Sequence, residues 1–198
     1  MLSVESWNLD QLAARWRSAT PFPYVTVDDV VDAETLETLR RASSAEPHWP
    51  NRGEIYDFMA SHETVMHPTL RALQEELGSA RVLDAVRAIS GRPVGSANLR
   101  SYVYQPGSYL LPHSDSRSDV GRLVAYVLYI WIDKCEGGEL ELFACEMNGD
   151  ELLHARSAQL IEPRSNRLVL FDVSNASLHQ VREVLSGMRV SLTGWFLA

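Results

Sequence analysis

The sequence predicts an α+β fold in which N-terminal helices support a jelly roll, the two-sheet barrel also called a double-stranded β-helix. Up to Pro93, apolar residues recur mainly at the three- and four-residue spacing of amphipathic helices. After Pro93, eight short β-rich segments separated by turns fill the rest of the chain. We therefore expect one domain over residues 1–198, with 1–93 as mainly helical support and lid and 94–198 as the barrel core.

Four helices are expected in the N-terminal half. Asn8 and Asp32 are suitable caps for the first two, because their side chains accept N–H groups of the first turn. Pro68 suits the first turn of the third helix, and Gly91 ends the fourth. The apolar residues expected to face inward are Leu9, Leu12, Ala13 and Trp16, then Leu36 and Leu39, then Leu70, Leu73 and Leu77, and finally Val82, Leu83, Val86 and Ile89.

The remaining segments are predicted to be strands and one loop. Residues 24–27 are β-branched or aromatic, and residues 54–59 alternate weakly between polar and apolar. Residues 44–53 are polar and contain two prolines, so we expect a loop that lies over a site. The strands expected in the second half are 98–104, 109–111, 123–132, 139–143, 158–161, 167–171, 178–181 and 188–196.

Composition narrows the range of partners. The net charge of −8 disfavours nucleic acid and anionic membranes, which both attract basic surfaces. The first residues lack the basic and apolar regions of a signal peptide, and the longest apolar run, 123–132, is too short to span a bilayer. Cys135 and Cys145 lack zinc-site spacing, and we expect unpaired thiols in a reducing, cytoplasmic location. The oligomeric state is left open.

Two histidines and an aspartate form the strongest functional pattern. His113 and Asp115 are two residues apart at a strand end, where side chains at that spacing point to the same side. His179 lies beyond a long apolar stretch, in another predicted strand. Two histidines and one carboxylate make the facial triad that binds Fe(II) and leaves coordination positions open. We predict this triad here, although each residue alone is more often an ordinary core or surface residue.

An arginine follows this pattern on the last predicted strand. Arg189, Ser191, Thr193 and Trp195 alternate onto one face of that strand. A buried guanidinium needs an anion, because a buried unpaired charge is costly. A dicarboxylate bound to the iron would be that anion, held by Arg189 in a bidentate contact and by the hydroxyl of Ser191.

The apolar run LVAYVLYIWI at 123–132 carries two aromatic candidates. Tyr129 needs a partner for its hydroxyl if it is buried, which favours a position in the same pocket. Trp131 stands two residues on, and we expect it to share the face of Tyr129.

Together these residues resemble the Fe(II)/2-oxoglutarate-dependent dioxygenases, specifically the prolyl 4-hydroxylase-like branch. The resemblance covers about 98–196 and includes GGEL at 137–140 and GWF at 194–196. It implies a cupin-like jelly-roll core and hydroxylation of an unactivated C–H bond. It also implies a requirement for Fe(II), 2-oxoglutarate and O2, with stimulation by ascorbate. Asp115 implies hydroxylation in particular, because halogenating relatives carry a small residue there.

The resemblance assigns roles to individual residues. His113, Asp115 and His179 match the iron ligands, and Arg189 matches the residue that pairs with the distal carboxylate of 2-oxoglutarate. Tyr129, and with it Tyr104 in YQPGSYLLPHSD, match two tyrosines that line the co-substrate pocket in hypoxia-type prolyl hydroxylases.

The N-terminal half is similar to one sub-branch, the ribosomal prolyl hydroxylases of fungi and animals. The similar segments, in the same order, are PFPYVTVDDVVDAETLETL, EIYDFMAS, HPTLRALQEEL and LDAVRAISG. Those proteins carry a second, degenerate barrel domain, which we do not expect here.

The substrate is expected to contact two loops, 48–53 together with Tyr56, and 116–122. Arg100 and Arg122 are candidates to bind it, and Arg122 is favoured because a matching residue approaches the substrate in hypoxia-type enzymes. Trp131 is a further candidate, since it is expected on the pocket side. Arg117 is expected to be solvated or salt-bridged.

Three functions stay open at this point. The first is a hydroxylase of a prolyl or other amino-acid residue in a peptide or protein. The second is a hydroxylase of a free or carrier-bound amino acid or small metabolite in secondary metabolism. The third is a non-catalytic 2-oxoglutarate sensor, against which the complete set of His113, Asp115, His179 and Arg189 argues.

Overall fold

The computed structural model describes residues 1–116 and 120–198. Its helices are a short 3-10 helix at Val4–Ser6, α1 (Leu9–Ser18), α2 (Ala33–Ala45), α3 (Pro68–Leu77) and α4 (Ala80–Ser90). Its strands are β1 (Tyr24–Asp28), β2 (Trp49–Gly53), β3 (Tyr56–Ala60), β4 (Ser96–Ala97), β5 (Arg100–Tyr104), β6 (Tyr109–His113), β7 (Arg122–Gly137), β8 (Leu140–Asn148), β9 (Glu151–Ile161), β10 (Arg167–Asp172), β11 (His179–Val181) and β12 (Val184–Leu197).

The helices begin and end at the residues that the sequence indicates. The side chain of Asn8 accepts the N–H of Gln11, and that of Asp32 accepts the N–H of Thr35. Gly91 ends α4 in the left-handed region, at φ 69°, where a side chain would be strained. Within the described ranges, no helix is both long enough and apolar enough to cross a membrane.

The strands of the described chain form one curled antiparallel sheet. Its order is β1–β10–β7–β12–β5–β3–β6–β11–β8–β9, with β2 added to β3 and β4 to β12. The long strand β12 lies in the middle, paired with β7 on one side and β5 on the other. The sheet therefore encloses an interior that both β6 and β12 face.

Side chains on β7 alternate between two apolar clusters. Tyr126, Leu128 and Ile130 pack with the helices and with outward residues of β10 and β12. Ala125, Val127 and Tyr129 pack inside the barrel, against residues such as Leu142 of β8 and Phe171 of β10. The helical cluster thus closes one face of the sheet and leaves the other face to form the interior.

Two predictions about strands are wrong. The expected loop at 44–53 instead contains the end of α2 and strand β2, which pairs with β3 from Trp49 opposite Ala60 to Gly53 opposite Tyr56. The short strands expected at 139–143 and 158–161 belong to the much longer hairpin β8–β9. Both β2 and β9 are exposed along most of their length, so neither shows the apolar alternation that would reveal a strand.

Candidate metal centre

The two predicted histidines lie opposite each other on neighbouring strands. β11 pairs with β6 so that His179 is opposite His113, and their ring centroids are 4.3 Å apart. Asp115 follows the end of β6 by two residues. One carboxylate oxygen of Asp115 lies 3.8 Å from Nε2 of His113, and the other lies 3.6 Å from Nε2 of His179. The three groups thus offer ligand atoms within 4.8 Å of one another.

This arrangement fits a divalent transition metal. Nitrogen and oxygen atoms bound at right angles to one ion, at about 2.1 Å each, are about 3 Å apart. The separations of 3.6 and 3.8 Å are slightly larger, so a small movement of the carboxylate would close the ligands around an ion. Two imidazoles and one carboxylate on one side leave the opposite coordination positions for other ligands.

Backbone carbonyls orient both imidazole rings. Nδ1 of His113 lies 2.9 Å from the carbonyl oxygen of Leu111, and Nδ1 of His179 lies 3.0 Å from that of Ser177. Because a carbonyl only accepts, each Nδ1 carries a proton, and each neutral ring offers the lone pair of Nε2. The pKa of His179 is lowered to about 4, mainly by burial; Asp115 opposes this shift and nearby His113 contributes to it. Burial of His179 therefore favours the neutral imidazole that binds metals.

Among the described residues outside the triad, Trp195 and Arg122 contact the carboxylate of Asp115. The indole N–H of Trp195 donates a hydrogen bond of 2.9 Å to Oδ2. The guanidinium of Arg122 lies 3.6 Å from Oδ1 and stacks 3.6 Å from the centroid of the Trp195 ring. The sequence places Trp195 on the inward face of its strand, but its spacing gives no signal for a bond to Asp115.

A buried arginine occupies a second part of the interior. Arg189 is opposite Tyr104 on β5 and Ile132 on β7, and only 2% of its surface is exposed. Its guanidinium lies 4.3 Å from the centroid of the Tyr104 ring. In the part of the chain that the structure describes, its Nε and Nη1 atoms are buried and make no hydrogen bond. A cation held in this way needs an anion from outside the protein.

Buried residues with hydroxyl groups lie beside Arg189, namely Tyr104, Tyr129 and Ser191. The Tyr129 hydroxyl has no hydrogen-bond partner among the described residues, and the Tyr129 ring centroid lies 5.2 Å from the guanidinium. Ser191 is opposite Tyr129 in the sheet and is also buried. Burial raises the pKa of Tyr104 and of Tyr129, with Arg189 acting in the opposite direction, so both phenols stay protonated at neutral pH. The hydroxyls can therefore donate to an anion beside Arg189.

One cavity of about 320 Å³ connects the triad with Arg189. The predicted site residues that line it are His113, Asp115, His179, Arg189, Ser191, Tyr104, Tyr56, Arg100 and Arg122. Tyr129 reaches this group only through its contact with the guanidinium, because it does not itself line the cavity. The sequence thus identified most of the polar lining.

The cavity also has lining residues that the sequence reading did not single out. Tyr102 lies between Arg100 and Tyr104 on the inward face of β5, and the two-residue alternation of side chains along a strand could have found it. Asn51 belongs to β2, which lies in the segment 44–53 that the sequence predicted to be a loop. The apolar walls include Leu110, Leu140, Phe171 and Val181.

The two candidate substrate arginines are both already in contact with the protein. Arg100 donates two hydrogen bonds, of 3.1 and 2.6 Å, to the carbonyl oxygen of Ser61 and lies over the ring of Tyr102. Arg122 contacts Asp115 and Trp195 as described above. Residues 117–119 of the expected substrate loop, including Arg117, lie outside the described residues.

The expectation that Trp131 faces the pocket is wrong. Val190 and Ser191 of β12 pair with Trp131 and Tyr129 of β7, so Ile130 has no partner on β12. This β-bulge shifts the alternation by one residue. Trp131 consequently packs with Ile130 against the helical cluster, and it lines a surface groove beside α2.

The chain is similar in sequence to proteins of one superfamily. The family model described as "2OG-Fe(II) oxygenase superfamily" matches residues 98–197. Prolyl 3-hydroxylase OGFOD1 of Xenopus laevis is 29% identical over 188 residues, which cover 90% of this chain and 35% of the relative. The protein of that name from Mus musculus is 28% identical, over 94% of this chain and 37% of its own length. The chain thus spans about a third of the length of these relatives.

Solved structures with the same architecture confirm the predicted fold. A prolyl-4-hydroxylase of Pseudomonas putida aligns with a TM-score of 0.69 at 23% identity, over 94% of this chain and 98% of that one. A 2OG-Fe(II) oxygenase of Burkholderia pseudomallei aligns with a TM-score of 0.74 at 16% identity, over 97% and 92%. A prolyl hydroxylase of Trichoplax adhaerens, solved with a peptide fragment, aligns with a TM-score of 0.62 at 16% identity, over 96% and 86%.

Proposed function

Because the chain belongs to the 2OG-Fe(II) oxygenase superfamily, we propose that it hydroxylates a prolyl or other amino-acid residue in a peptide or protein. It is a dioxygenase that uses Fe(II), 2-oxoglutarate and O2. The observation that carries the proposal is a cavity that contains both a His–Asp–His group and a buried arginine with two nitrogen atoms that lack a hydrogen-bond partner among the described residues.

In this proposal the iron is held by His113, Asp115 and His179. Their donor atoms suit Fe(II), and the strand pairing of β6 with β11 fixes the two imidazoles before any metal arrives. The bonds from Nδ1 to backbone carbonyls keep each Nε2 available. These residues bind and orient the metal, and none of them needs to transfer a proton.

Arg189 holds the distal carboxylate of 2-oxoglutarate in the proposed complex. Its Nε and Nη1 would gain the hydrogen bonds that they lack within the described protein, and a guanidinium binds a carboxylate through two parallel bonds. Tyr129, Tyr104 and Ser191 supply hydroxyl groups beside it. Burying the guanidinium of Arg189 costs free energy, and this cost is offset only when the anion is bound.

Bound iron and 2-oxoglutarate would supply, together with O2, the oxidising power for the reaction. The substrate C–H bond becomes C–OH, and 2-oxoglutarate becomes succinate and CO2. The chain contributes orientation and exclusion of water. The apolar walls Leu140, Phe171 and Val181 surround the space between the triad and Arg189. Phe171 also packs its ring edge-on against His179, at 4.6 Å between centroids.

The substrate side of the proposal rests on the relatives and on the cavity together. Two curated relatives are named prolyl 3-hydroxylases, and solved structures of the same fold include prolyl hydroxylases. The β2–β3 hairpin adds Asn51, Ile55 and Tyr56 to the cavity lining, and β5 adds Arg100. We propose that these side chains, together with Arg122, contact the substrate. The comparisons do not favour the alternative of a small metabolite of secondary metabolism.

A direct assay tests the proposal. The protein is incubated with Fe(II), 2-oxoglutarate and ascorbate, with either a library of proline-containing peptides or a mixture of free amino acids. We expect succinate to form, and peptide masses to increase by one oxygen atom at proline. Oxidation of free amino acids with no modified peptide would contradict the proposed substrate class. Absence of succinate under every condition would contradict the assigned activity.

We also propose that residues 1–198 act as one unit in the cytoplasm. The helices and the outward face of the barrel share one apolar cluster, which favours a single domain. Cys135 and Cys145 are both unpaired, as is usual in a reducing compartment.

A further inference from the structure

Of the three residues of the triad, Asp115 is the one that lies outside a hydrogen-bonded strand. His113 and His179 both lie in paired strands, whereas Asp115 lies beyond the end of β6, outside the regular hydrogen-bonded ladder. Its carboxylate is nevertheless nearly buried, with 7% of the residue exposed. Its position must therefore depend on contacts made by the side chain.

Trp195 supplies the shortest of these contacts. Its indole N–H donates to Oδ2 of Asp115 at 2.9 Å, whereas the nearest imidazole nitrogen is 3.6 Å from the same oxygen. The Arg122 guanidinium lies beside the other oxygen and is stacked on the indole. A neutral donor on one oxygen and a cation beside the other restrict rotation of the carboxylate about its Cβ–Cγ bond.

The backbone of Trp195 is itself held by hydrogen bonds to Asn98. The side-chain oxygen of Asn98 accepts the backbone N–H of Trp195 at 2.8 Å, and the backbone N–H of Asn98 donates to the Trp195 carbonyl at 3.2 Å. Gly194 permits this contact, since a Cβ there would lie 2.3 Å from the Asn98 carbonyl oxygen. The Tyr126 hydroxyl donates to that same carbonyl at 2.7 Å. Trp195 therefore presents its N–H from a fixed point.

We propose that Trp195 is a positioning residue that holds Asp115 in the orientation needed to bind the metal. The inference rests on the proposed metal site, and it adds to that site a group that touches neither metal nor co-substrate. Hydrogen bonds to a ligating carboxylate fix its direction and charge, and their loss typically weakens metal binding by about 10- to 100-fold. Trp195 acts through its N–H group, and its ring serves mainly to support Arg122.

The test compares variants that keep an aromatic ring but differ in the donor. Mn(II) is titrated into the full-length, metal-free protein under nitrogen, and its dissociation constant is measured by calorimetry and by electron paramagnetic resonance. Trp195→Phe is expected to weaken Mn(II) binding by about tenfold while the unfolding temperature of the metal-free protein changes little. Trp7→Phe, which alters a half-buried tryptophan packed in the helical cluster, is the matched control and should leave the constant unchanged.

A second variant separates loss of the N–H donor from the smaller ring of phenylalanine. Benzothienylalanine in place of Trp195 keeps the bicyclic shape and replaces only the N–H with sulfur, so it should fold as the parent does and bind Mn(II) as weakly as Trp195→Phe. Mn(II) affinity within twofold of the parent in this variant would overturn the proposal. Asp115→Ala distinguishes a failure of the proposed role of Trp195 from a failure of the metal site. If Asp115→Ala binds Mn(II) as tightly as the parent, the metal site itself is wrongly assigned.

Discussion

The two ends of the cavity satisfy their polar groups to different degrees. At the triad, each imidazole has a carbonyl for Nδ1 and the carboxylate has Trp195 and Arg122, so that among the described residues only Nε of Arg122 is buried without a partner. At the other end, Arg189 and Tyr129 are fully enclosed, yet within the described residues they keep three polar atoms without a partner. The first end is organised by the protein, whereas the second is left incomplete until an anion binds.

Because of this difference, mutations at the two ends should affect metal binding and 2-oxoglutarate binding separately. Changes at the triad should alter metal binding first and co-substrate binding only as a consequence. Changes at Arg189 should weaken 2-oxoglutarate binding while the affinity for metal alone is unchanged. The predictions below test this separation, from the largest expected effect to the smallest.

Replacing His179 should have the largest effect. His179→Ala removes one of three ligands that a facial site needs, and we expect succinate production to fall by at least about 1,000-fold and Mn(II) binding to be lost. Succinate is measured by mass spectrometry and Mn(II) binding by calorimetry. His154→Ala, which changes an exposed histidine on β9, should behave as the parent. Substantial turnover in His179→Ala would show that the metal is bound elsewhere.

Replacing Arg189 should separate the two ends most clearly. Arg189→Met removes the charge that pairs with the distal carboxylate, and hydrogen bonds to charged groups contribute about 1.5–3 kcal/mol each, so KM for 2-oxoglutarate should rise by at least tenfold. Mn(II) affinity in the absence of 2-oxoglutarate should stay as in the parent. Arg156→Met, on exposed β9, is the matched control. An equal loss of Mn(II) affinity would contradict the independence of the two ends.

The same variant should change stability in an unusual direction. The guanidinium of Arg189 is buried and has no ion-pair partner in the ranges that the structure describes, which is unfavourable without ligand, so Arg189→Met should raise the unfolding temperature of the metal-free form. Added metal and 2-oxoglutarate should then stabilise the variant less than the parent. Differential scanning calorimetry gives both values. A lower unfolding temperature of the variant would mean that the guanidinium is satisfied in the free protein.

Replacing Tyr129 should produce a smaller effect of the same kind. Tyr129→Phe removes one neutral hydroxyl, and a hydrogen bond of about 1 kcal/mol corresponds to roughly a fivefold increase in KM for 2-oxoglutarate. The maximal rate should stay within about twofold of the parent. Steady-state kinetics with varied 2-oxoglutarate gives both parameters. An unchanged KM would place the Tyr129 hydroxyl outside the co-substrate site.

Replacing Trp131 should have the smallest effect. The bulge at Ile130 turns Trp131 towards α2, away from the cavity, so Trp131→Phe should leave both succinate production and peptide hydroxylation within about twofold of the parent. Rates are compared at saturating 2-oxoglutarate. A marked loss of peptide hydroxylation with normal succinate production would restore Trp131 as a substrate contact.

The sequence allowed the chemistry of the site to be predicted because ligand spacing follows strand geometry. His113 and Asp115 stand at a strand end two residues apart, and the inward alternation of Arg189 and Ser191 follows from a period of two. His179 was the candidate third ligand because it stands in another predicted strand, and resemblance to a known family then matched it to an iron ligand. Local periodicity alone could not show that β11 pairs with β6, since antiparallel register depends on the whole sheet.

What escaped prediction depended on contacts between distant segments. The bulge at Ile130 leaves no mark in the run of apolar residues around it, although it reversed the side to which Trp131 points. His48 lies in the segment 44–53 that was expected to be a loop, yet its Nε2 lies 2.9 Å from the hydroxyl of Ser101 in a half-buried network. The bond from Trp195 to Asp115 joins residues 80 positions apart. None of these features has a local sequence signal.

Strand β12 gives the two ends of the cavity a common origin. Arg189 and Trp195 are six residues apart on it, a distance of about 20 Å in an extended strand, and both point inward because their separation is an even number. A one-residue slip of β12 against β5 and β7 would turn both side chains outward together. Correct pairing of β12 therefore places both Arg189 at the anion-binding end and Trp195 beside Asp115. An error of register would remove both groups from the cavity at once.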